Sequence, residues 1–288
     1  MRSLPLSDLC VKQNPVPLYI DQLARVIELN QPPKRIISLV PSQTELLFDL
    51  GLNEEVIGIT KFCIHPKQWF QSKTRVGGTK QLHPEKIKQL RPDLIIANKE
   101  ENVQEQIEEL AKDFPVWISD VNNLNDALEM INSIGKITGK ATEAKKIIDQ
   151  ITENFSQLPT SNPKFLSCYL IWKDPYMTIG GDTFISNLLH RAGFENGFAS
   201  QLRYPSISIE QLQTVNCQLL LLSSEPFPFK QKHVAELQSL LPQTKILLVD
   251  GEMFSWYGSR LIKAPQYFRQ LQNQLKLPRR HKDTNYEQ

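Results

Sequence analysis

Arg35-Ile-Ile-Ser-Leu-Val-Pro-Ser-Gln-Thr-Glu45 opens with a continuous, mainly apolar run to Val40 that passes directly into a proline and a polar helix start. A strand buried on both faces reads this way, because neither face meets water and no alternation is needed. Residues 35–40 are therefore expected to form a parallel strand, with a helix running to Leu50 and Gly51 closing it. The pattern continues outward as strand 56–59, helix 84–90, strand 94–97, helix 102–111 and strand 116–118. Such βα repetition implies a parallel sheet with helices on both faces.

Upstream, residues 19–29 read as two short extended runs around Gln22, a β-hairpin that Pro32-Pro33 ends. Downstream, helix 124–137 is followed by a long helix over 141–158. There Ala144, Ile147, Ile148, Ile151, Phe155 and Leu158 recur at helical spacing, and Pro159 and Pro163 follow. A second series then begins: strand 165–172, helices 183–192 and 209–214, strand 218–223, helix 230–240, strand 245–250 and a last helix over 259–275. The expected fold is α/β, two Rossmann-like lobes with parallel sheets joined by a single long connecting helix. The bounds are an N-terminal extension with hairpin (1–33), an N-terminal lobe (34–140), the connector (141–160), a C-terminal lobe (161–277) and a basic polar tail (278–288). A ligand cleft is expected between the lobes, at the carboxyl ends of the strands.

Composition supports a globular chain: 40% of its 288 residues are apolar and 22% charged. A formal charge of +2, from 33 basic and 31 acidic residues, gives no overall positive field of the kind nucleic-acid binders use. Residues 1–31 contain no apolar run long enough for a signal-peptide core, so the chain read literally stays in the cytoplasm. Leu9-Cys10 faintly suggests a lipidation site, but Ser7 and Asp8 argue against it. Arg279, Arg280, His281 and Lys282 read as a solvated terminus, and Cys10, Cys63, Cys168 and Cys217, with no C-x-x-C pair, read as free thiols.

Several residues could line the cleft. Ser42 and Glu45 have the spacing of a capping box at a helix N-terminus that faces it. Phe62, Cys63 and His65 follow a strand end, and Cys63 with His65 could give two metal ligands, with His83 as a distant third. Gly77-Gly78-Thr79-Lys80 lacks the Walker pattern and reads as a tight turn beside the cleft, while Lys99-Glu100-Glu101-Asn102 lies where polar groups reach its mouth. In the second half, Trp172 and Tyr176, Tyr204, and Trp256 and Tyr257 stand outside regular periodicity at strand-to-helix junctions. Flat rings there suit a broad conjugated ligand. Arg260 could fork onto a ligand carboxylate or phosphate, or pair with Glu252. The five histidines fall into no nucleophile-base-acid set, which favours binding over turnover.

The 35–51 strand and helix, with Gly77-Gly78-Thr79-Lys80, Pro84-Glu85 and Leu90-Arg-Pro-Asp-Leu94, resembles the N-terminal lobe of class III periplasmic binding proteins. These are the helical-backbone receptors of ABC importers for vitamin B12, ferric siderophores and haem, and the likeness runs from about 19 to 277, nearest a cobalamin-binding-protein-like subgroup. The resemblance implies a non-catalytic monomer, without cofactor, that takes a metal chelate into its cleft. It implies that Glu85 and Glu210, one on each lobe, dock onto arginines of a membrane permease. It matches Tyr204 to a pocket aromatic, Glu252 to a pocket acid, and Thr79 to a position that carries tryptophan in the B12 receptor. The family works in the periplasm or at the cell surface, unlike the literal reading of the chain's start. Two other readings are a cytoplasmic carrier or sensor of such ligands and a chelatase-like tetrapyrrole enzyme.

Overall fold

The computed structural model describes residues 17–158 and 165–276. Leu9-Cys10, the basic tail and the last residues of the expected connector lie outside them.

Ile36 and Ile37 are fully buried because strand β3 (Ile36–Ser38) runs through the middle of a five-stranded parallel sheet. It pairs with β4 (Val56–Ile59) on one side and β6 (Leu94–Asn98) on the other. Beyond them lie β5 (Thr74–Arg75) and β7 (Val116–Ser119), giving the order β5-β4-β3-β6-β7. The second sheet holds β8 (Phe165–Leu170), β9 (Phe194–Asn196), β10 (Leu219–Ser223) and β11 (Lys245–Val249) in the order β11-β10-β8-β9, also parallel. Two Rossmann-like lobes result. The two- and three-residue strands β5 and β9 escape the sequence reading, since so short a run shows no period.

The hairpin β1 (Leu18–Ile20) and β2 (Val26–Glu28) sits against the outer edge of β7. Its turn occupies that edge with polar groups. The Gln22 amide donates to the Ile118 carbonyl at 3.1 Å, the Ile118 amide donates to Asp21 Oδ2 at 3.2 Å, and Arg25 Nη2 donates to the Val116 carbonyl at 2.9 Å. An edge strand capped in this way offers no free ladder to another chain.

Between the sheets run α5 (Leu124–Ile137) and α6 (Ala141–Ser156). One apolar cluster passes from Ile36, Leu46 and Trp117 through Ile134, Ile147 and Ile151 to Tyr169, Phe254 and Phe268, so the lobes share a core. Smaller clusters fill the outer face of each lobe. The last helix departs from expectation: a 3-10 turn at Ser259–Ile262 precedes α11 (Ala264–Lys276). Pro265 explains the break, as it lacks an amide to donate and fits only a helix's first turn.

The α5–α6 corner depends on Gly135. A Cβ there would lie 2.3 Å from Ala144 Cβ and 3.1 Å from the Lys140 carbonyl oxygen. Gly135→Ala is expected to destabilise the chain by about 1–3 kcal/mol through overpacking, measured by urea unfolding; an unchanged midpoint would show that the helices can separate freely.

Candidate functional site

Parallel strands send their following loops to one edge, and here the two edges meet. The N-lobe contributes the loops after β3, β4, β6 and β7, and the C-lobe those after β8, β10 and β11 together with residues 197–208. Three groups of contacts cross the junction.

At its base, Arg260 is 8% exposed and forks onto Glu45 of helix α1 (Pro41–Asp49), with Nε to Oε2 at 2.8 Å and Nη2 to Oε1 at 2.7 Å. Its Nη1 pairs with Glu252 of helix α10 (Glu252–Ser255), and its guanidinium lies 4.6 Å from the Trp256 ring. Burial works against the charge, but the carboxylates outweigh it and hold the arginine's pKa above its ordinary value. Arg260 is thus spent within the protein, which corrects the expectation that it meets a ligand anion; the pairing with Glu252 holds, and the main partner is Glu45. The capping box is corrected for the same reason. Val40 is the N-cap and makes no side-chain cap bond, Pro41 opens the helix, and Glu45 reaches Arg260 instead of Ser42. Ser42 is buried, and its Oγ has no hydrogen-bond partner among the described residues.

His65 Nε2 sits 3.3 Å from Glu252 Oε1, with its ring edge-on to Trp256. Cys63 turns the other way, fully buried within 3.1 Å of Thr44 and Thr60 hydroxyls, where burial pushes its thiol up to about 11. The pair cannot converge on one ion, and His83 is an exposed residue ahead of helix α3 (Pro84–Leu90). Among the described residues no three His, Cys, Asp or Glu side chains form a metal cluster.

In the middle, the Tyr257 hydroxyl donates across the junction to Glu101 Oε1 at 2.7 Å, and within the C-lobe Trp256 Nε1 donates to Glu225 Oε1 at 2.9 Å. Both rings are only 6% exposed, so they hold carboxylates and leave little face for stacking. Burial raises the Glu225 carboxyl and pushes Glu101 up to about 7, with Glu225 adding to the rise and the Tyr257 hydrogen bond opposing it. Sequence reasoning missed Glu225, although its place just after the apolar strand β10 was an available signal.

At the mouth, the Tyr204 hydroxyl donates to Glu100 Oε2 at 2.9 Å and Arg203 pairs with the same carboxylate. These residues and Lys99 line a cavity of about 500 Å³. Lys80 is exposed and donates to the Glu100 carbonyl at 2.5 Å. Outside the cavity lining, Phe62 is 51% exposed, lying under the Lys61 ammonium, and Trp172 is 40% exposed, edge-on to Phe227, which packs on the C-lobe's outer cluster. Tyr176 is not drawn into this group: its hydroxyl reaches Glu236 of helix α9 (Gln231–Leu240) at 3.4 Å, and its ring packs on the C-lobe's outer cluster.

Two parallel-sheet lobes that share a core and close on a polar and aromatic cleft define a bilobal binding protein. The sequence profile described as periplasmic binding protein matches residues 36–240, and the chain belongs to that family. A vitamin B12-binding protein of Vibrio parahaemolyticus is 28% identical over 214 residues, 72% of this chain and 76% of that one. In structure the chain is similar to the periplasmic vitamin B12 binding protein BtuF of Vibrio cholerae, with TM-score 0.72 and 22% identity over 85% of this chain and 99% of that one. It is also similar to a periplasmic heme binding protein from Pseudomonas aeruginosa, with TM-score 0.70 and 21% identity over 82% and 91% of the two chains.

Arg260→Met should leave Glu45 buried without its partner and cost about 3–5 kcal/mol in urea unfolding; a loss below a tenth of that would show that Glu45 finds water instead. Glu101 gives a pH signature. Folded, it keeps its proton to about 7 against an ordinary 4.5, so between those values the folded state binds more protons than the unfolded one. Its contribution to stability therefore falls as pH rises from 4.5 to about 7. Glu101→Gln should remove that slope, gaining on the wild type between unfolding curves recorded at acid and at alkaline pH; parallel curves would contradict the assignment.

Proposed function

We propose that this chain is the substrate-binding component of an ABC-type importer, and that it captures a metal chelate of the corrinoid, ferric siderophore or haem kind without chemical change. One observation carries the reading: the carboxyl ends of both sheets converge on a cavity of about 500 Å³ whose walls come from both lobes. That volume lies within the usual range for small-molecule pockets. Family membership and the vitamin B12- and heme-binding relatives supply the ligand class. A corrinoid or haem is broad, so the mouth residues must part to admit it. Tyr204 lines the cavity, and we assign the exposed Phe62, Trp172 and Lys80 to meet the ligand with it, while Arg260, Glu252, Trp256 and Tyr257 make up the base and middle of the junction and Ser42 is buried. Tyr176 stands apart on the outer side of its lobe.

For the permease, Glu85 and Glu210 are the docking carboxylates. Each is exposed in the first turn of a short helix, α3 in one lobe and α8 (Ile209–Val215) in the other. Ser208 caps α8 with a full capping box through Gln211, fixing Glu210 at the helix start.

Tryptophan fluorescence titrated with cobalamin, cobinamide, haem and ferric siderophores should show saturable quenching by one of them, weakened about tenfold (about 1.4 kcal/mol) in Tyr204→Ala. No response to any member would reject the reading. Reversing the charge of Glu85 and Glu210 together should abolish uptake and leave the titration unchanged; unchanged uptake would remove the docking role.

A further inference from the structure

Glu100 presents to the cleft mouth an acceptor that belongs to the chain itself. It follows β6, and its carboxylate takes the Tyr204 hydroxyl at 2.9 Å and the Arg203 guanidinium. Arg203 also extends Nη1 toward Asp182 Oδ2 of its own lobe and Asn122 Oδ1 of the other, each at 3.4 Å. Its backbone stands at φ 58°, in the left-handed region, where its amide donates to Asp182 Oδ1 at 2.6 Å. A non-glycine residue held there is costly, so the surrounding bonds fix Arg203 in place beside Tyr204. Arg203, Tyr204, Glu100 and Lys99 are the lining of the cavity.

A guanidinium fork with an adjacent phenol is a receptor for a planar or tetrahedral oxyanion. Here the oxyanion present is a side chain from the opposite lobe. The contact is only partly buried, with the Arg203 side chain 46% exposed and that of Glu100 26%. Such a pair is readily exchanged, in contrast to the sealed Arg260–Glu45 fork. Removing Glu100 from the mouth would leave Arg203 and Lys99 facing the cavity, opposed by Asp182 on Arg203 and by Asp120, which pairs with Lys99 at 2.6 Å. Burial raises the Tyr204 phenol above its ordinary value, so it stays a donor.

We propose that Arg203 and Tyr204 form the subsite for a carboxylate or phosphate carried by the ligand, and that Glu100 occupies this subsite until the ligand displaces it. The proposal rests on the binding reading above and assigns to Arg203 the anion contact that the sequence suggested for Arg260. It makes Glu100 both the latch between the lobes and the competitor that a ligand must replace, so a chelate without an oxyanion lacks the group that opens the mouth.

Inorganic phosphate and acetate, titrated into the full chain at constant ionic strength, separate the two sources of oxyanion. Wild type, Glu100→Gln and Glu100→Gln/Arg203→Met are compared by calorimetry. Glu100→Gln should bind phosphate or acetate about fivefold more tightly than wild type, and Arg203→Met should abolish the gain. A gain with phosphate points to a phosphate-bearing chelate, and one with acetate to a carboxylate-bearing chelate. Equal affinity of all three proteins for both anions would overturn the subsite, even if a chelate binds elsewhere in the cleft. An anion gain without any chelate binding would instead retain the subsite and refute the importer reading.

Discussion

Arg260 makes the contact on which the arrangement of the two lobes depends. It leaves the C-lobe, enters the N-lobe and forks onto Glu45 of α1, with Glu252 and the Trp256 ring closing its other sides. A guanidinium buried this deeply is unfavourable unless both carboxylates stay in place, so a small rotation of one lobe against the other would expose charges at high cost. The surrounding backbone conforms to that constraint. Gly258 lies so close to the Ser42 carbonyl oxygen that a Cβ would stand 2.5 Å from it, which explains a glycine beside the arginine turn. The Ser259 hydroxyl, next along, donates to Asp49 at the other end of α1.

The junction is therefore graded. Its base is sealed by a buried fork, its middle holds neighbouring carboxyls that keep their protons more firmly than usual, and its mouth is closed by a partly exposed pair. Only the last can open at modest cost. The core shared through α5 and α6 adds to the stiffness, because bending the lobes apart would tear apolar packing along with the polar contacts. A cleft built like this admits ligand by movement of the loops at its rim, and its affinity derives from pre-formed walls.

The sequence revealed the framework more fully than the site, and physical reasons separate the two. β3 and the helix after it were legible because a strand buried on both faces is mostly apolar without alternation, here Ile36 and Ile37, with the buried Ser38 hydroxyl satisfied by Thr44. The connector was legible because one stripe of α6 faces the core. Ser42 and Glu45 were misread because the capping spacing is local, whereas the true partner of Glu45 is 215 residues away. No periodicity reports a contact of that range. The aromatic clusters were found, yet exposure divides them: Trp172 keeps a free face, Trp256 and Tyr257 are enclosed, and Tyr176 belongs to the outer cluster. Arg203 carried no motif, and its part at the mouth became visible only when Glu100 of the other lobe was placed against it.

Because one apolar core threads both lobes, neither has a complete interior of its own. The chain is expected to melt as a single cooperative unit, so that occupancy of the cleft is felt at the far end of each sheet. A ligand that binds the folded form alone stabilises all of it by mass action, by about 2.7 kcal/mol at a hundredfold excess over its dissociation constant. Whole-molecule melting thus reports on a pocket that touches only a few loops, and heat alone can sort a library of unlabelled, colourless compounds into those that fit and those that do not.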